Sequence, residues 1–430
     1  MKDSLTNAVE TATVDYSVTT SRFERRNTTA LMRLLFGKMP FTLDFGDGDL
    51  RPMARDTPSK FTLAPPRFRT LLWVLVNPGL RFGEAYMEGS WHLKDGKLAD
   101  MLLMMLTFKG GRSRRNGLSF GLTEAITHFY KQFLATFSAT RKVQGHYDES
   151  TAFFELMMGR DLVYTCAFYD DDPKDLHEAQ QIKFDTIFDR LRLREAEDLN
   201  ILDIGSGWGS FENFFPADLK ADIDGISLSG VQVDYATRRW AEGKKTGRPN
   251  VTYIQEDYRT YCHRHEKKYN RIISIGMLEA VGRSKYKHYF QAIDHVLADG
   301  GVALIHSIVK HQPGATNLWV DRYIFQGGYS PQVSEVVAGI EAAGLKTQAV
   351  HFHHGGNYIK TLQAWLKNIE DKKAKCIDVL VAEQTEGTEV EKQKRARTTF
   401  RMYEFFLSGV QTMFHPDYLG NGIAHFIVTR

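Results

Sequence analysis

From about residue 200 onward the chain repeats one rhythm: a short apolar run, a turn, a helical stretch, then another apolar run. The runs are NILDIG (200–205), ADIDGIS (221–227), VTYIQ (251–255), RIISIG (271–276), GVALIHSI (301–308), KTQAVHFHH (346–354) and GIAHFIVT (422–429). Helical stretches separate the first five. A parallel strand pair needs a long crossover, and a helix is the usual one. Such alternation therefore predicts an α/β fold, a mostly parallel, Rossmann-like sheet of seven strands with helices on both faces. The last run follows a long helical segment, about 360–412, and is expected to insert antiparallel at one edge of the sheet.

The first ~110 residues read differently. FTLDFGDGDLRPM (41–53) alternates and turns like a hairpin, with Gly46 and Gly48 in the turn. RFRTLLWVLVNPGLRFGEAYMEGSWHLKD (67–95) reads as a helix stopped at Asn77, Pro78 and Gly79, a second short helix, and a turn at Gly89 to Trp91. KGGRSRRNG (109–117) has the composition of a linker. A chain of 430 residues accommodates this division: a small α+β domain over 1–115, a linker and helical cover over 116–195, and the alternating domain over 196–430.

Composition excludes several classes. A formal charge of +3 is too small to imply a nucleic-acid partner. Cys166, Cys262 and Cys376 are too far apart for a zinc knuckle or a disulfide framework, so no metal is expected and a reducing compartment is. The first residues lack the apolar core of a signal peptide, and LLWVLV and MLLMML fall far short of the ~20 apolar residues that span a bilayer. A cytoplasmic protein is expected.

ILDIGSGWGS (201–210) joins the first strand of the sheet to a helix. Gly205, Gly207 and Gly209 remove side chains, so backbone N–H groups and a ligand can approach closely. The dinucleotide fingerprint G-x-G-x-x-G/A meets Ser210 at its third position. A G-x-G-x-G turn after Asp203 suits S-adenosylmethionine (SAM), which has no pyrophosphate to cradle. Asp203 would then order the turn and the amino-acid end of the ligand. Asp257 offers a carboxylate for a purine amino group and Tyr258 a ring to stack on it, although Asp257 also reads as a helix N-cap. Ser227 and Gln232 suit ribose or carboxylate contacts, whereas Ser229 reads as an N-cap. Asp222 and Asp224 would serve as ribose acids in a dehydrogenase, or are simply solvated.

In this setting the chain resembles the cyclopropane-fatty-acid synthase family of class I SAM-dependent methyltransferases. The resemblance runs from about residue 40 to the C-terminus. It rests on FGEAYMEGSW, HYDES with FFELMMGRDLVYTCAFYDD, LDIGSGWGS, GISLSGVQ, QEDYR, GMLEAVG, LIHSI, NLWVDRYIFQGGYSP and NYIKTLQAW, in that order. It implies that the small domain is lipid-associated and that the aromatic segment lies over the cofactor, with Tyr164 and Thr165 touching SAM. It also implies a bicarbonate or carbonate ion as the base, at positions matching Cys166, Glu279, His306, Ile308 and Tyr358. Taken singly, His306 reads as a core histidine, Cys166 as a small buried apolar group, Glu279 as a helix-start residue and Tyr358 as a core ring.

The implied reaction makes chemical sense of these types. An alkene is a poor nucleophile, so it must be aimed at an electrophilic methyl group with water excluded. Methyl transfer leaves a cation, and loss of a proton from the new methyl closes a three-membered ring. A small oxyanion pinned by His306, Tyr358 and backbone amides, with Glu279 orienting it, avoids burying a charged side-chain base. The implied partners are a phospholipid with an unsaturated acyl chain and the inner membrane face, to which the enzyme would bind peripherally. A second copy of the chain, as a homodimer, is left open. Three departures stand out: Ser206 where the family commonly has Cys, Thr151 where it has Asn, and Ala280 where it has His. The last admits methyl or methylene branching without ring closure. A non-catalytic lipid-binding protein is a third reading.

Overall fold

The computed structural model of the protein describes residues 21–54, 57–108, 151–196, 198–243, 249–312, 314 and 316–430. The 109–117 segment and the HYDES motif lie outside them. By internal contacts the chain forms two units: Met1–His128 with Asn317–Tyr323 and Leu380–Thr412, and Phe129–Thr316 with Ile324–Val379 and Met413–Arg430.

In the smaller unit β1 (Phe41–Asp44), β2 (Leu50–Pro52), β3 (Phe61–Ala64) and β4 (His92–Asp95) form a sheet of order β2-β1-β3-β4. The expected hairpin is present. β1 and β2 pair antiparallel, Thr42 opposite Pro52 and Asp44 opposite Leu50, around Gly46 and Gly48 at φ 75° and 85°. Those left-handed values are why glycine stands there. The helix Phe68–Val76 stops at Asn77, and Pro78 opens the next, Pro78–Met87, where its missing N–H costs nothing.

This unit is not the contiguous N-terminal segment expected from the sequence. Trp319 and Phe405 pack into it, ring centroids 4.9 Å apart, at Gly83, where a Cβ would come within 2.6 Å of Trp319 and 2.8 Å of Phe405. Arg401 donates to the carbonyl oxygens of Tyr86 (2.7 Å) and Trp91 (2.9 Å), and Tyr323 donates to Glu84 (2.8 Å). Aromatic burial and capped carbonyls thus draw in two later segments that the sequence division left in the alternating domain.

The larger unit holds β5 (Leu199–Ile204), β6 (Ala221–Ser227), β7 (Asn250–Gln255), β8 (Tyr269–Ile275), β9 (Leu297–Val309), β10 (Lys346–His353) and β11 (Gly422–Thr429). Their order is β10-β11-β9-β8-β5-β6-β7. β5 to β9 pair parallel. β11 runs antiparallel to both neighbours, as expected, but it lies between β9 and β10 and not at an edge. Its composition explains this: GIAHFIVT is buried along nearly its whole length, whereas KTQAVHFH in β10 alternates between covered and exposed, as an edge strand can. The long helical segment divides into Gly355–Asp371, Lys373–Ala382 and Glu389–Phe414.

Alternate strand residues feed two cores. Leu202, Ile204, Ile272, Ala303 and Phe426 pack with the helices Tyr286–Val296 and Val333–Ala342. Ile201, Ile223, Ile273, Leu304 and Ile427 pack with Leu176–Arg190 and Ser210–Phe214. A period of two across a doubly covered sheet produces this split. After β5 the chain proceeds to β6 and β7, then crosses back to β8 on the other side of β5. The turn after β5 therefore opens at the switch point, where an α/β sheet leaves a crevice outside its strand ends.

Candidate active site

The glycine turn occupies that crevice. Gly205, Gly207 and Gly209 all have left-handed φ, at 91°, 58° and 75°. Gly205 and Ser206 donate their N–H groups to the Ile226 carbonyl (2.9 and 3.1 Å), which pins the turn to β6. A Cβ at Gly209 would run into the Tyr253 hydroxyl. At Gly207 a Cβ meets only the Gly205 carbonyl oxygen, at 4.0 Å, so a side chain there would fill the open space beside the turn.

One cavity opens at this turn, and all nine residues proposed from the sequence for the cofactor line it: Tyr164, Thr165, Asp203, Gly205, Gly207, Ser227, Gln232, Asp257 and Tyr258. Asp203 is buried at the end of β5. Burial, and then neighbouring Glu212, hold its carboxyl well above the usual range; burial raises Glu212 to about 7. The Ser227 hydroxyl donates to Gln232 Oε1 (3.0 Å), and Ser229 caps the following helix as expected, accepting from the Gln232 N–H at 3.3 Å. Asp257 is both a lining residue and an N-cap. Its Oδ1 accepts from the Arg259 N–H and Nε, each at 2.9 Å, and Oδ2 from Nη2. Burial alone would raise its pKa; the Arg259 hydrogen bonds outweigh that and lower it. Asp222 and Asp224 are structural. Asp222 accepts from Asn250 (3.1 Å), and Asp224 from Lys267 and Tyr269, each at 2.6 Å.

The aromatic segment forms the opposite wall. Tyr164 packs between Phe154 (5.5 Å) and Trp365 (5.4 Å), and Trp208 from the glycine turn meets Phe154 at 5.2 Å. Thr165 is held from the helix Leu176–Arg190: Lys183 Nζ donates to its hydroxyl (3.0 Å) and Gln180 Nε2 to its carbonyl (3.1 Å). Lys183 is fully buried, and burial lowers its pKa to about 7. Sequence reasoning missed both. The available signal was polar residues at i, i+3 and i+10 (Gln180, Lys183 and Arg190) on the core-facing side of an amphipathic helix.

Of the proposed reaction-centre residues, Glu279 and Ile308 are in direct contact. The Ile308 N–H donates to Glu279 Oε1 at 2.6 Å, while Oε2 is buried with no hydrogen-bond partner among the described residues. Burial raises the Glu279 pKa. His306 lies two residues back on β9, on the same face as Ile308. Its Nδ1 is 2.8 Å from His425 Nε2. Cys166 is buried and donates to the Ala167 carbonyl (3.2 Å); burial drives its thiol far above the ordinary range, so it is no thiolate nucleophile. Ala167 N–H donates to Thr361 (3.0 Å) and Tyr169 N–H to Asn357 (2.9 Å), tying Cys166 to the helix that carries Tyr358. The Tyr358 ring packs on Phe414 at 4.6 Å. Among the described residues no cluster of His, Cys, Asp and Glu could hold a metal ion.

A seven-stranded sheet with an inserted antiparallel strand, and a glycine turn opening on a cavity at its switch point, are the fold of the class I SAM-dependent methyltransferases. The family follows from the sequence: a model described as mycolic acid cyclopropane synthetase matches residues 135–420, and the chain belongs to that family. A probable fatty acid methyltransferase of Pseudomonas putida is 32% identical over 249 residues, which are 56% of this chain and 60% of that protein. The cyclopropane-fatty-acyl-phospholipid synthase of Escherichia coli is 29% identical over 304 residues, 68% of this chain and 72% of the relative. In fold, the chain is similar to the mycolic acid cyclopropane synthase CmaA1 solved with SAH and CTAB. The TM-score is 0.57 at 24% identity, covering 68% of this chain and 98% of that one.

Proposed function

We propose that the protein transfers a methylene unit from SAM to the double bond of an unsaturated acyl chain in a membrane phospholipid and closes a cyclopropane, with bound bicarbonate as the base. The observation that carries this reading is the cavity: the nine residues proposed for SAM line one crevice together with Met277 and Ala280, between which Glu279 lies in the chain. The name of the Escherichia coli relative supports a phospholipid substrate.

When bound, SAM supplies an electrophilic methyl group. The glycine turn and Asp203 would receive its amino-acid end, Ser227 and Gln232 the ribose, and Asp257 with Tyr258 the adenine. Tyr164, Thr165 and Trp208 would cover it and exclude water, which strengthens every electrostatic contact inside. Glu279 fits a small oxyanion that carries one proton: Ile308 fixes one carboxyl oxygen, and the unpartnered Oε2 can accept the ion's O–H. His306 and Tyr358 would hold its remaining oxygens. The ion would then take the proton whose loss closes the ring.

Peripheral membrane binding is supported by the helix Phe68–Val76. Leu72, Leu75 and Val76 are 45%, 38% and 82% exposed at helical spacing, with Arg67 and Arg69 exposed beside them. One observation favours the branching reading: Ala280 lines the cavity at the position where the family has histidine. The name of the Pseudomonas putida relative is compatible with it. Incubation with SAM and a monounsaturated phospholipid tests both. A mass gain of one CH2 with cyclopropane proton signals supports ring closure, an alkene or branched methyl signal supports branching, and no gain rejects the activity.

A further inference from the structure

Beside His306 lie three buried or part-buried basic groups, Arg190, His353 and His425, that the reaction as proposed does not use. Arg190, on the helix Leu176–Arg190, directs a single nitrogen, Nη1, at two histidines: His353 Nε2 at 2.7 Å and His425 Nδ1 at 2.5 Å. His425 Nε2 then meets His306 Nδ1 at 2.8 Å. Strand register builds the chain of contacts, because His306 on β9 and His425 on β11 are directly opposite each other. His306 and His425 are both buried, and Phe168 stacks on His353 at 3.9 Å, so the geometry is enclosed.

Proton counting fixes the rest. A guanidinium has donors only and does not deprotonate in proteins. His425 Nδ1 must therefore accept, which leaves its proton on Nε2. That Nε2–H faces His306 Nδ1, which must accept in turn, so His306 carries its own proton on Nε2. We infer that Arg190, acting through His425, locks His306 as the neutral Nε2–H tautomer, so that His306 serves the reaction as a hydrogen-bond donor and not as the base. Arg190 and His425 are positioning residues. The inference rests on the proposed assignment of His306 to the reaction centre.

The surroundings favour the same state. Lys183 and Arg190 from the helix, His353 from β10 and His425 from β11 face His306 with positive or neutral groups, and burial heads the causes that lower its pKa. An imidazolium there would point a proton at a donor. A neutral Nε2–H instead suits an anion, and an external oxyanion is needed because His306 has no lone pair to offer on the side away from His425.

The test is nitrogen-15 NMR of the full-length protein labelled at histidine, reading the tautomer of each ring across neutral pH. His306 and His425 are expected as Nε2–H tautomers whose signals do not move with pH. Arg190→Met is expected to free both rings: the His306 signals become a tautomer mixture that titrates, and methyl transfer falls roughly 10- to 100-fold, the scale for removing a partner that orients a histidine. Its activity should also gain an acidic limb while SAM affinity stays unchanged, and Arg190→Lys should restore part of the activity. His306 found as the Nδ1–H tautomer or as imidazolium in the unaltered protein would overturn the lock, a result that needs no variant to fold. Unchanged histidine signals in Arg190→Met would overturn it as well. Failure of the unaltered protein to transfer a methyl group, with the tautomers as expected, would count against the proposed activity and leave the lock standing.

Discussion

The cofactor cavity and the basic cluster beside His306 are built in opposite ways. The cavity is local in sequence: Asp203, Gly205, Gly207 and Trp208 stand within one turn, and Ser227 with Gln232 and Asp257 with Tyr258 follow at the ends of the next two strands. Its shape comes from backbone, through glycines in left-handed conformations. The cluster is assembled from residues far apart in the chain. His306 and His425 are separated by 119 residues, Arg190 and His425 by 235, and Arg190 and His353 by 163. A motif can specify a turn; only the sheet register can bring His425 to His306. The difference teaches that cofactor and catalytic functions in this fold should fail separately when altered.

The largest separable effect is expected at Gly207. Gly207→Trp would fill the space beside the turn with a side chain, and calorimetry should detect no SAM binding while the far-ultraviolet dichroism of the sheet is retained. Retained affinity would mean that the ligand does not pass this turn.

Lys183 sharpens the other half of the comparison. Its pKa falls from 10.5 unfolded to about 7 folded, chiefly through burial. The unfolded chain therefore binds more protons between those values, and stability rises with pH across that window. The contribution is complete above 10.5, is lost as pH falls toward about 7, and is constant below that. Lys183→Met should remove this slope and raise stability at and below neutral pH by up to about 5 kcal/mol, read from denaturant melts at several pH values. A wild-type melt with no such slope would show the amine to be solvated or paired.

How much of this was legible follows the same division. The seven strands, the hairpin at Gly46 and Gly48, and the break at Pro78 could be read because alternation and turn chemistry are local signals. Seven of the nine cavity residues stand at such local signals, the glycine turn and the ends of the next two strands, whereas Tyr164 and Thr165 were implied only by the family resemblance. The antiparallel direction of β11 was legible but its neighbours were not: GIAHFIVT is apolar along most of its length, and its burial between β9 and β10 shows only in the sheet. Trp319, Phe405 and Arg401 fall outside the N-terminal segment in a linear reading, because nothing in a linear pattern announces a contact across 300 residues, such as the hydrogen bond from Arg401 to the Trp91 carbonyl at a separation of 310. Lys183 and Arg190 went unread because a charge in a helical segment carries no local signal of its burial; that Lys183 is fully buried and Arg190 partly so depends on what packs over them.

A smaller effect is expected at Asp257. Asp257→Ala should weaken SAM binding by about 1–3 kcal/mol, the scale of a lost hydrogen-bond partner. Arg259, which now occupies that carboxylate, would be left facing the cavity. A nucleoside analogue lacking the purine amino group should bind both proteins alike. A distinction between them would place the carboxylate elsewhere on the ligand.

In the proposed reaction SAM is held by the cavity while Glu279 serves proton removal next to it. The direct test is Glu279→Gln, followed by two readouts on the same preparation: SAM affinity by calorimetry and methyl transfer to a monounsaturated phospholipid. Affinity should match the unaltered protein, and turnover should fall by about 10²–10⁴-fold, the range for losing general acid–base assistance. Full turnover in bicarbonate-depleted buffer, or a loss of SAM affinity equal to the loss of turnover, would contradict the claim.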